Sequence, residues 1–338
     1  MHCIVTGAAG FMGSHLARYI LDQGGEVLGL DNLSGGFERN VPPGCDFKVV
    51  DLANEYKTWQ AIDRYGHGHF DVLYHLAADA TEGRSQFTPV RCVRDNVLAT
   101  AVVLREAVKH RVKRIVFTSS MAVYGAQATP FDESWPRSPE DIYGCCKAWG
   151  ERATEIMGDT YGIPWTICRP HNVYGPNQNL ADPYRNVLAI WINRLMQGKH
   201  IFIYGDGEQR RAFSFVGDII PALYEAGIRE DARSEIINLG AREAVSLNYA
   251  ARMVTSLFPG CPEPVYEMAR PREVKVAYAT VDKSMEILGF QETVTLRDGV
   301  KRMVDWARTL GPQKPTYLEK GLEIQSDLAP RVWREELI

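Results

Sequence analysis

Cys3-Ile4-Val5-Thr6-Gly7-Ala8-Ala9-Gly10-Phe11-Met12-Gly13 is the stretch that decides the fold. A short apolar run suited to a buried strand meets three glycines, and a helical pattern opens on the last of them and continues to about Gln23. A second apolar run, Glu26 to Asp31, completes a βαβ unit. The alternation continues outward, with strands expected at Phe47 to Val50, Val72 to Ala77, Arg114 to Ser119 and Trp165 to Arg169. Helices are expected near Asn96 to Lys109 and Tyr143 to Met157. Strands feeding helices in this order predict an α/β fold with a doubly wound parallel sheet. After Pro170 the pattern breaks at Pro176-Asn177-Gln178-Asn179 and Gly205-Asp206-Gly207. That places a first domain over 1–170, a smaller C-terminal lobe over 171–310, and a return to the first domain near 213–228. The stretch 311–338, with Pro312, Pro315 and mixed charges, reads as a surface extension.

Composition limits the partners. Among 338 residues, 38 Lys and Arg face 42 Asp and Glu, for a formal charge of -4. With no basic block, nothing favours a nucleic acid or an anionic membrane, and a small molecule is the expected ligand. No apolar run reaches the roughly 18 residues of a membrane span. The start runs into a strand without a basic leader, so a cytoplasmic protein is expected. Seven cysteines without a Cys-x-x-Cys pair indicate neither a disulfide framework nor a zinc site, so no metal is expected. His67-Gly68-His69 lacks a third ligand nearby and reads as a solvated loop.

A glycine triplet between a strand and a helix has a specific use. Gly7 permits a tight turn, Gly10 lets the backbone approach a pyrophosphate at the helix N-terminus, and Gly13 allows close helix-to-strand packing. Phe11 and Met12 belong to the same cradle. Asp31, at the end of the second strand, is placed to accept hydrogen bonds from both adenosine ribose hydroxyls and to repel a 2′-phosphate, which favours NAD over NADP. Asn32 follows it. Asp51, with Leu52, ends the next strand and can receive the adenine amino group or cap a helix.

Tyr143 and Lys147 stand four apart in a helical stretch and share one face. An ammonium beside a tyrosine is expected to lower the phenol's pKa from near 10 and make it a base. Ser119 and Ser120 end the preceding strand, where ligands of parallel sheets bind, and Ser120 can hydrogen-bond the same substrate oxygen. Ser120, Tyr143 and Lys147 therefore read as a proton-abstraction site beside a nicotinamide. Arg211 and Arg270 suit bidentate binding of a diphosphate, and equally suit surface ion pairs.

Thr118-Ser119-Ser120-Met121-Ala122-Val123-Tyr124-Gly125, Tyr143-Gly144-Cys145-Cys146-Lys147 and Arg169-Pro170-His171-Asn172-Val173-Tyr174-Gly175-Pro176 follow the glycine triplet in order. Together they resemble the extended short-chain dehydrogenase/reductase family, of the NAD-dependent epimerase/dehydratase type, with greatest likeness to UDP-glucose 4-epimerases. The resemblance covers about residues 1–310 and implies a Rossmann-type fold. It departs at Cys145 and Cys146, where Ser or Lys is common, and leaves the tail without a counterpart.

The resemblance implies that Tyr143, assisted by Ser120 and Lys147, takes the proton of a sugar 4-hydroxyl while C4 yields hydride to NAD. The resulting 4-keto sugar turns and receives the hydride on its other face. It also implies that Leu76, Ala77, Ala78, Asn96, Pro170 and His171 wall the cofactor. On the substrate side it puts Asn172, Arg211 and Arg270 near the diphosphate, Ser85 near the sugar and Tyr204 against the base. A UDP-linked sugar and a homodimer are implied as partners, the dimer through the two helical stretches named above. Alternatives remain within the same likeness. Dehydratases and decarboxylases usually carry acidic residues after the catalytic Ser or Thr, where this chain has Met121 and Ala122. A reductase is a further variant, and a UDP-uronic acid 4-epimerase would use Arg185 as carboxylate partner, although an exposed arginine at a helix start is the plainer reading. A catalytically silent NAD-binding scaffold would not need Ser120, Tyr143 and Lys147. Small residues at Ala277 or Ala279 are expected to leave room for an N-acetyl group at C2. His75, Trp149, Trp165 and Trp191 are read as core, and His171 as packing against the cofactor.

Overall fold

Ile4 and Val5 lie buried in β1 (His2–Thr6), and the chain turns at Gly7 into α1 (Phe11–Asp22) before re-entering the sheet as β2 (Glu26–Asp31). The computed structural model describes residues 1–65 and 69–338. His67, read above as part of a solvated loop, lies outside the described residues. The first half continues through β3 (Asp46–Val49), α2 (Glu55–Asp63), β4 (Val72–His75), two short helices α3 (Glu82–Ser85) and α4 (Pro89–Val93), and α5 (Ala99–Lys109). Then come β5 (Arg114–Thr118), α6 (Ile142–Tyr161) and β6 (Trp165–Pro170). α5 is entered through a π-helical turn, Arg94–Leu98, so the helix expected from Asn96 begins irregularly.

Among the described residues the main sheet has seven strands, and every pairing in it is parallel. β1 lies between β4 and β2, with β5 and β6 beyond β4 and β3 beyond β2. The direction of winding reverses at β1 and β4, which opens a crevice at the carboxyl ends of these strands. The fold is therefore the doubly wound Rossmann-type sheet.

The later elements are β7 (Val173–Tyr174), α7 (Val187–Met196), β8 (Phe202–Tyr204), β9 (Arg210–Ala212), β10 (Ser214–Phe215), α8 (Val216–Glu225), β11 (Glu235–Leu239), β12 (Ala244–Ser246), α9 (Leu247–Thr255), β13 (Val265–Glu267), β14 (Val276–Ala277), α10 (Asp282–Leu288), α11 (Leu296–Leu310) and α12 (Arg331–Arg334). β11 pairs with β6 and extends the main sheet, although sequence assigned that stretch to the second lobe. Its five residues carry no glycine-rich turn or alternating pattern to mark them. α8 packs against α1.

Two further expectations are corrected. The segment 311–338 is no surface extension, because Leu322, Ala329, Val332, Trp333 and Ile338 are buried in a cluster with Phe87, Tyr184 and Phe202. Its apolar residues are irregularly spaced among charges, so periodicity gave no signal. Trp149, read as core, is 40% exposed on the outer face of α6. No helix among the described residues is long and apolar enough to cross a membrane.

α6 carries both Tyr143 and Lys147, and a buried ion pair fixes it to the sheet. Arg169 on β6 donates from Nε and Nη2 to the two carboxylate oxygens of Glu151 on α6, at 2.8 and 2.7 Å. Ser119 and Arg137 donate to the same carboxylate. Arg169 also donates to the Tyr124 hydroxyl at 2.7 Å, which in turn donates to Asn238 on β11 at 2.7 Å. Burial works to raise the Glu151 carboxyl, but the hydrogen bonds and charge of Arg169, with Ser119 and Arg137, outweigh it and hold the group below the usual range.

Glu151→Ala leaves the Arg169 guanidinium buried without its counter-charge, and a loss of about 3–5 kcal/mol is expected in denaturant unfolding. The stability that the carboxylate contributes is fully present above its unfolded pKa and is lost as pH falls through its depressed folded value. Glu151→Gln should therefore narrow the gap to the wild type toward acid pH, as unfolding at pH 7 and pH 3 would show.

Candidate functional site

The crevice at the carboxyl edge of the sheet opens into a cavity of about 680 Å³. At its floor, Gly7 has φ +74°, its N–H donates to Leu30 O at 2.7 Å, and Gly10 N–H donates to Gly7 O at 3.0 Å. A Cβ built on Gly13 would stand 2.0 Å from Gly7 O, so α1 reaches the strand end only because that position is glycine. Gly10 caps α1 without a side chain, which leaves the first-turn amides to an anion. This cradle fits a dinucleotide pyrophosphate. Asp31 is buried and accepts from Leu33 N at 2.7 Å and Ala9 N at 3.1 Å through different oxygens, and each oxygen retains a further lone pair. Burial raises its carboxyl despite these amides.

Asp51 lines the same end of the cavity, accepts from Ala53 N at 3.0 Å and pairs with Arg94. It does not cap α2, a role Asn54 takes by accepting from Lys57 N at 3.1 Å. Phe11, Met12, Asn32, Leu52, Leu76, Ala77, Ala78 and Pro170 also line the cavity.

Ser120, in the turn that follows β5, and Tyr143 and Lys147, on α6, open into this cavity. Ser120 Oγ accepts from Ala122 N at 3.1 Å. Lys147 Nζ donates to Thr118 O at 2.7 Å and lies 5.8 Å from the centre of the Tyr143 ring. Burial pushes Lys147 down to about 8. Burial also raises the Tyr143 phenol above its ordinary value, against the hydrogen bond with Ser120 and the charge of Arg185. The expectation of a lowered tyrosine is thus corrected, because desolvation of the phenolate exceeds the Ser120 hydrogen bond and the attraction of Arg185.

Three residues assigned to the site stand outside the cavity lining. Ser85 is buried, donates to Glu82 O at 2.7 Å and accepts from Tyr143 N at 3.2 Å, so it holds the start of α6 rather than a sugar. Asn96 donates to Asp79 O at 3.1 Å and Cys92 O at 2.8 Å, which props the loop after β4 from behind. His171 is wholly buried, burial lowers it to about 4, and its ring lies where a Cβ on Gly240 would come within 2.7 Å. His75, also neutral, lies between the Thr6 and Thr100 hydroxyls at 2.7 and 2.9 Å, with burial lowering it to about 3.

Toward the second lobe the cavity is lined by Asn172, Tyr204, Arg211 and Arg270. The two guanidiniums share Glu273, at 3.7 Å from Arg211 and 2.6 Å from Arg270, and Arg270 lies 5.2 Å above the Tyr204 ring. Ala277 and Ala279 pack instead with Met121, Tyr124 and Phe131, away from the lining, so neither borders the space expected for a C2 substituent. Sequence reasoning missed Glu82, Gly83, Asp182 and the tail residues Tyr317, Leu318 and Trp333, all of which line the cavity. Arg185 lines it too, pairing with Asp182 at 3.1 Å, and its side chain is only 23% exposed.

The sequence matches the family described as NAD dependent epimerase/dehydratase over residues 3–240. A relative from Methanocaldococcus jannaschii, named putative UDP-glucose 4-epimerase, is 32% identical over 90% of this chain and 98% of its own. The structure of a Thermotoga maritima UDP-glucose 4-epimerase with UDP-glucose superposes with a TM-score of 0.86 at 29% identity, covering 92% of this chain and 99% of that one. A Bacillus cereus UDP-glucuronic acid 4-epimerase, solved with UDP-glucuronic acid and NAD, gives 0.83 at 27% identity, covering 92% and 100%.

Lys147 has a folded pKa below its unfolded value, so at pH 7 its buried charge costs stability, and the cost disappears as pH rises from about 8 toward the unfolded pKa near 10.4. Lys147→Met is expected to unfold at higher denaturant than the wild type at pH 7, with the difference shrinking above pH 8, while turnover is lost. A variant less stable at pH 7 than the wild type would show that the Thr118 hydrogen bond outweighs the desolvation.

Proposed function

This chain belongs to the NAD dependent epimerase/dehydratase family, and from that premise we propose that it inverts C4 of a UDP-linked hexose, UDP-glucose and UDP-galactose or an N-acetyl analogue, through a transient 4-keto sugar. It is an NAD-dependent enzyme of the sugar-nucleotide epimerase type. The cofactor, when bound, supplies the hydride acceptor for C4 and the donor that returns the hydride.

In this reading the glycine cradle holds the pyrophosphate and Asp31 takes the adenosine ribose. Tyr143 removes the 4-hydroxyl proton and gives it back after the keto sugar has turned. Ser120 donates to or accepts from the same oxygen. Lys147, anchored on Thr118 O, places positive charge near the phenol as its proton leaves. Arg211 and Arg270 take the diphosphate by displacing Glu273.

The observation that carries the reading is that Ser120, Tyr143 and Lys147 share one cavity with the cradle, while Met121 and Ala122 provide no acid beside Ser120 to eliminate water or assist decarboxylation. A second reading, a UDP-uronic acid as substrate, is favoured by Arg185, which faces the cavity rather than solvent and acts on Tyr143. NMR identification of products from a panel of UDP-, GDP- and dTDP-sugars, uronic acids included, decides between them.

Tyr143→Phe should keep the fold and bound NAD while losing turnover by roughly 10²–10⁴-fold, the usual worth of a positioned acid-base group. Full activity in that variant would sink the mechanism.

We further propose a cytoplasmic homodimer. Leu98, in the stretch 96–109, and Trp149 and Ile156 on α6 are each at least 40% exposed, an apolar set on the helical stretches expected to pair with their mates. Sedimentation at micromolar concentration is expected to give a dimer, shifted toward monomer by Trp149→Glu.

A further inference from the structure

The chain between β4 and α4 carries the short helix α3 (Glu82–Ser85), whose side chains face different ways. Arg84 and Ser85 turn into the protein. Arg84 donates from Nη2 to Asp79 at 2.6 Å and lies 4.8 Å above the Tyr184 ring, and Ser85 accepts from Tyr143 N at 3.2 Å. With these two residues anchored, the same turn directs Glu82 outward, where it lines the cavity open to water. Its neighbour Gly83 lies against the second lobe, since a Cβ there would stand 2.9 Å from Arg270 Nη1. Glu82 is therefore held between the start of α6, which carries Tyr143, and the arginines assigned to the diphosphate.

Its charge is felt on both sides. Burial raises the Tyr143 phenol and brings the Asp141 carboxyl up to about 7, and Glu82 adds to both. Burial works to lower the guanidiniums of Arg211 and Arg270, and at each of them Glu82 acts in the opposite sense. Asp79, Asp182 and Glu273 line the same cavity and each is matched, by Arg84 at 2.6 Å, Arg185 at 3.1 Å and Arg270 at 2.6 Å. Glu82 has neither an ion pair nor a side-chain hydrogen bond among the described residues.

A hexose whose C4 hydroxyl reaches Tyr143 and whose diphosphate reaches Arg211 and Arg270 spans the interval that Glu82 borders. An unmatched carboxylate accepts hydrogen bonds from sugar hydroxyls. It also repels a second carboxylate brought into the same cavity. Arg185 cannot offset that repulsion without leaving Asp182 unpaired.

We infer that Glu82 is a specificity-determining residue, which selects an uncharged hexose and rejects a uronic acid. The inference rests on the nucleotide-sugar reading above and chooses between its two forms.

The test compares dissociation constants for UDP-glucose and UDP-glucuronic acid, measured by calorimetry on the NAD-loaded full chain. The two ligands share nucleoside and diphosphate and differ at C6, so their ratio reports charge at the sugar and cancels any effect of Glu82 on the arginines. The wild type is expected to favour UDP-glucose by about tenfold, a preference that shrinks as salt rises. Glu82→Gln, which keeps the shape and removes the charge, should bring the two affinities together by strengthening UDP-glucuronic acid, whereas Glu82→Asp should keep most of the preference. Equal affinities in the wild type, a wild-type preference for the uronic acid, or an unchanged ratio in Glu82→Gln overturns the inference. A wild type that binds neither sugar nucleotide nor UDP overturns instead the nucleotide-sugar reading on which it rests.

Discussion

Glu151 and Arg169 are buried together between α6 and β6, at 0% and 1% side-chain exposure, and the placement of the reacting groups follows from that contact. A helix packed on a sheet by apolar contacts alone can slide, since one leucine substitutes for another along its face. A bidentate guanidinium-carboxylate pair cannot slide without leaving charge unpaired in a low-dielectric interior. With Ser119 donating to the same carboxylate, the end of β5 is held to α6 as well. Ser120, next to Ser119 in the turn after β5, and Tyr143 on α6 therefore open into one cavity in a fixed relation. Ser85 adds a second constraint by accepting from the backbone N–H of Tyr143, and Asp141 caps the same helix through Gly144 N at 2.8 Å.

The same burial sets the electrostatics. Lys147 is brought down to about 8, and the Tyr143 phenol is held above its usual range. A protein that isolates both groups from water makes neither charge cheap by itself, so the proposed proton transfer draws on groups that gather around the phenol: the Ser120 hydroxyl, the Lys147 ammonium and Arg185. The acidic side has a counterpart in Asp141, raised to about 7 by burial and by the charge of Glu82. The arginines of the second lobe are satisfied in the free protein by Glu273 and by backbone carbonyls of Arg210, Val274 and Lys275. An anion of higher charge has to compete for them, which favours a diphosphate over a single carboxylate.

What was legible in the sequence is what local rules govern. The strand-glycine-helix order placed Gly7, Gly10 and Gly13, and the four-residue spacing placed Tyr143 and Lys147 on one face of α6. What was not legible depends on long-range pairing. β11 joins the sheet through contacts some seventy residues distant in the chain, from Thr166↔Glu235 to Pro170↔Leu239, and no local pattern encodes that. Trp333 and Ile338 look like tail residues until Phe87 and Tyr184 are seen around them. Ser85 and Asn96 were placed near the ligands by resemblance, and both lie one layer behind, where their hydrogen bonds hold the residues that do line the cavity. His171 follows Pro170 in sequence but turns into the protein, because the backbone after β6 directs Pro170 and Asn172 toward the cavity and the residue between them away.

In the proposed reaction hydride leaves C4 of a nucleotide-linked sugar and returns to the same carbon within one site. This is tested most directly by supplying UDP-galactose carrying deuterium at C4 to the purified protein in ordinary water and locating the label in the product by NMR. Inverted product with deuterium retained at C4 is the expected result. Product that has lost the label to solvent, or a 4-keto sugar released while NADH accumulates, would contradict this.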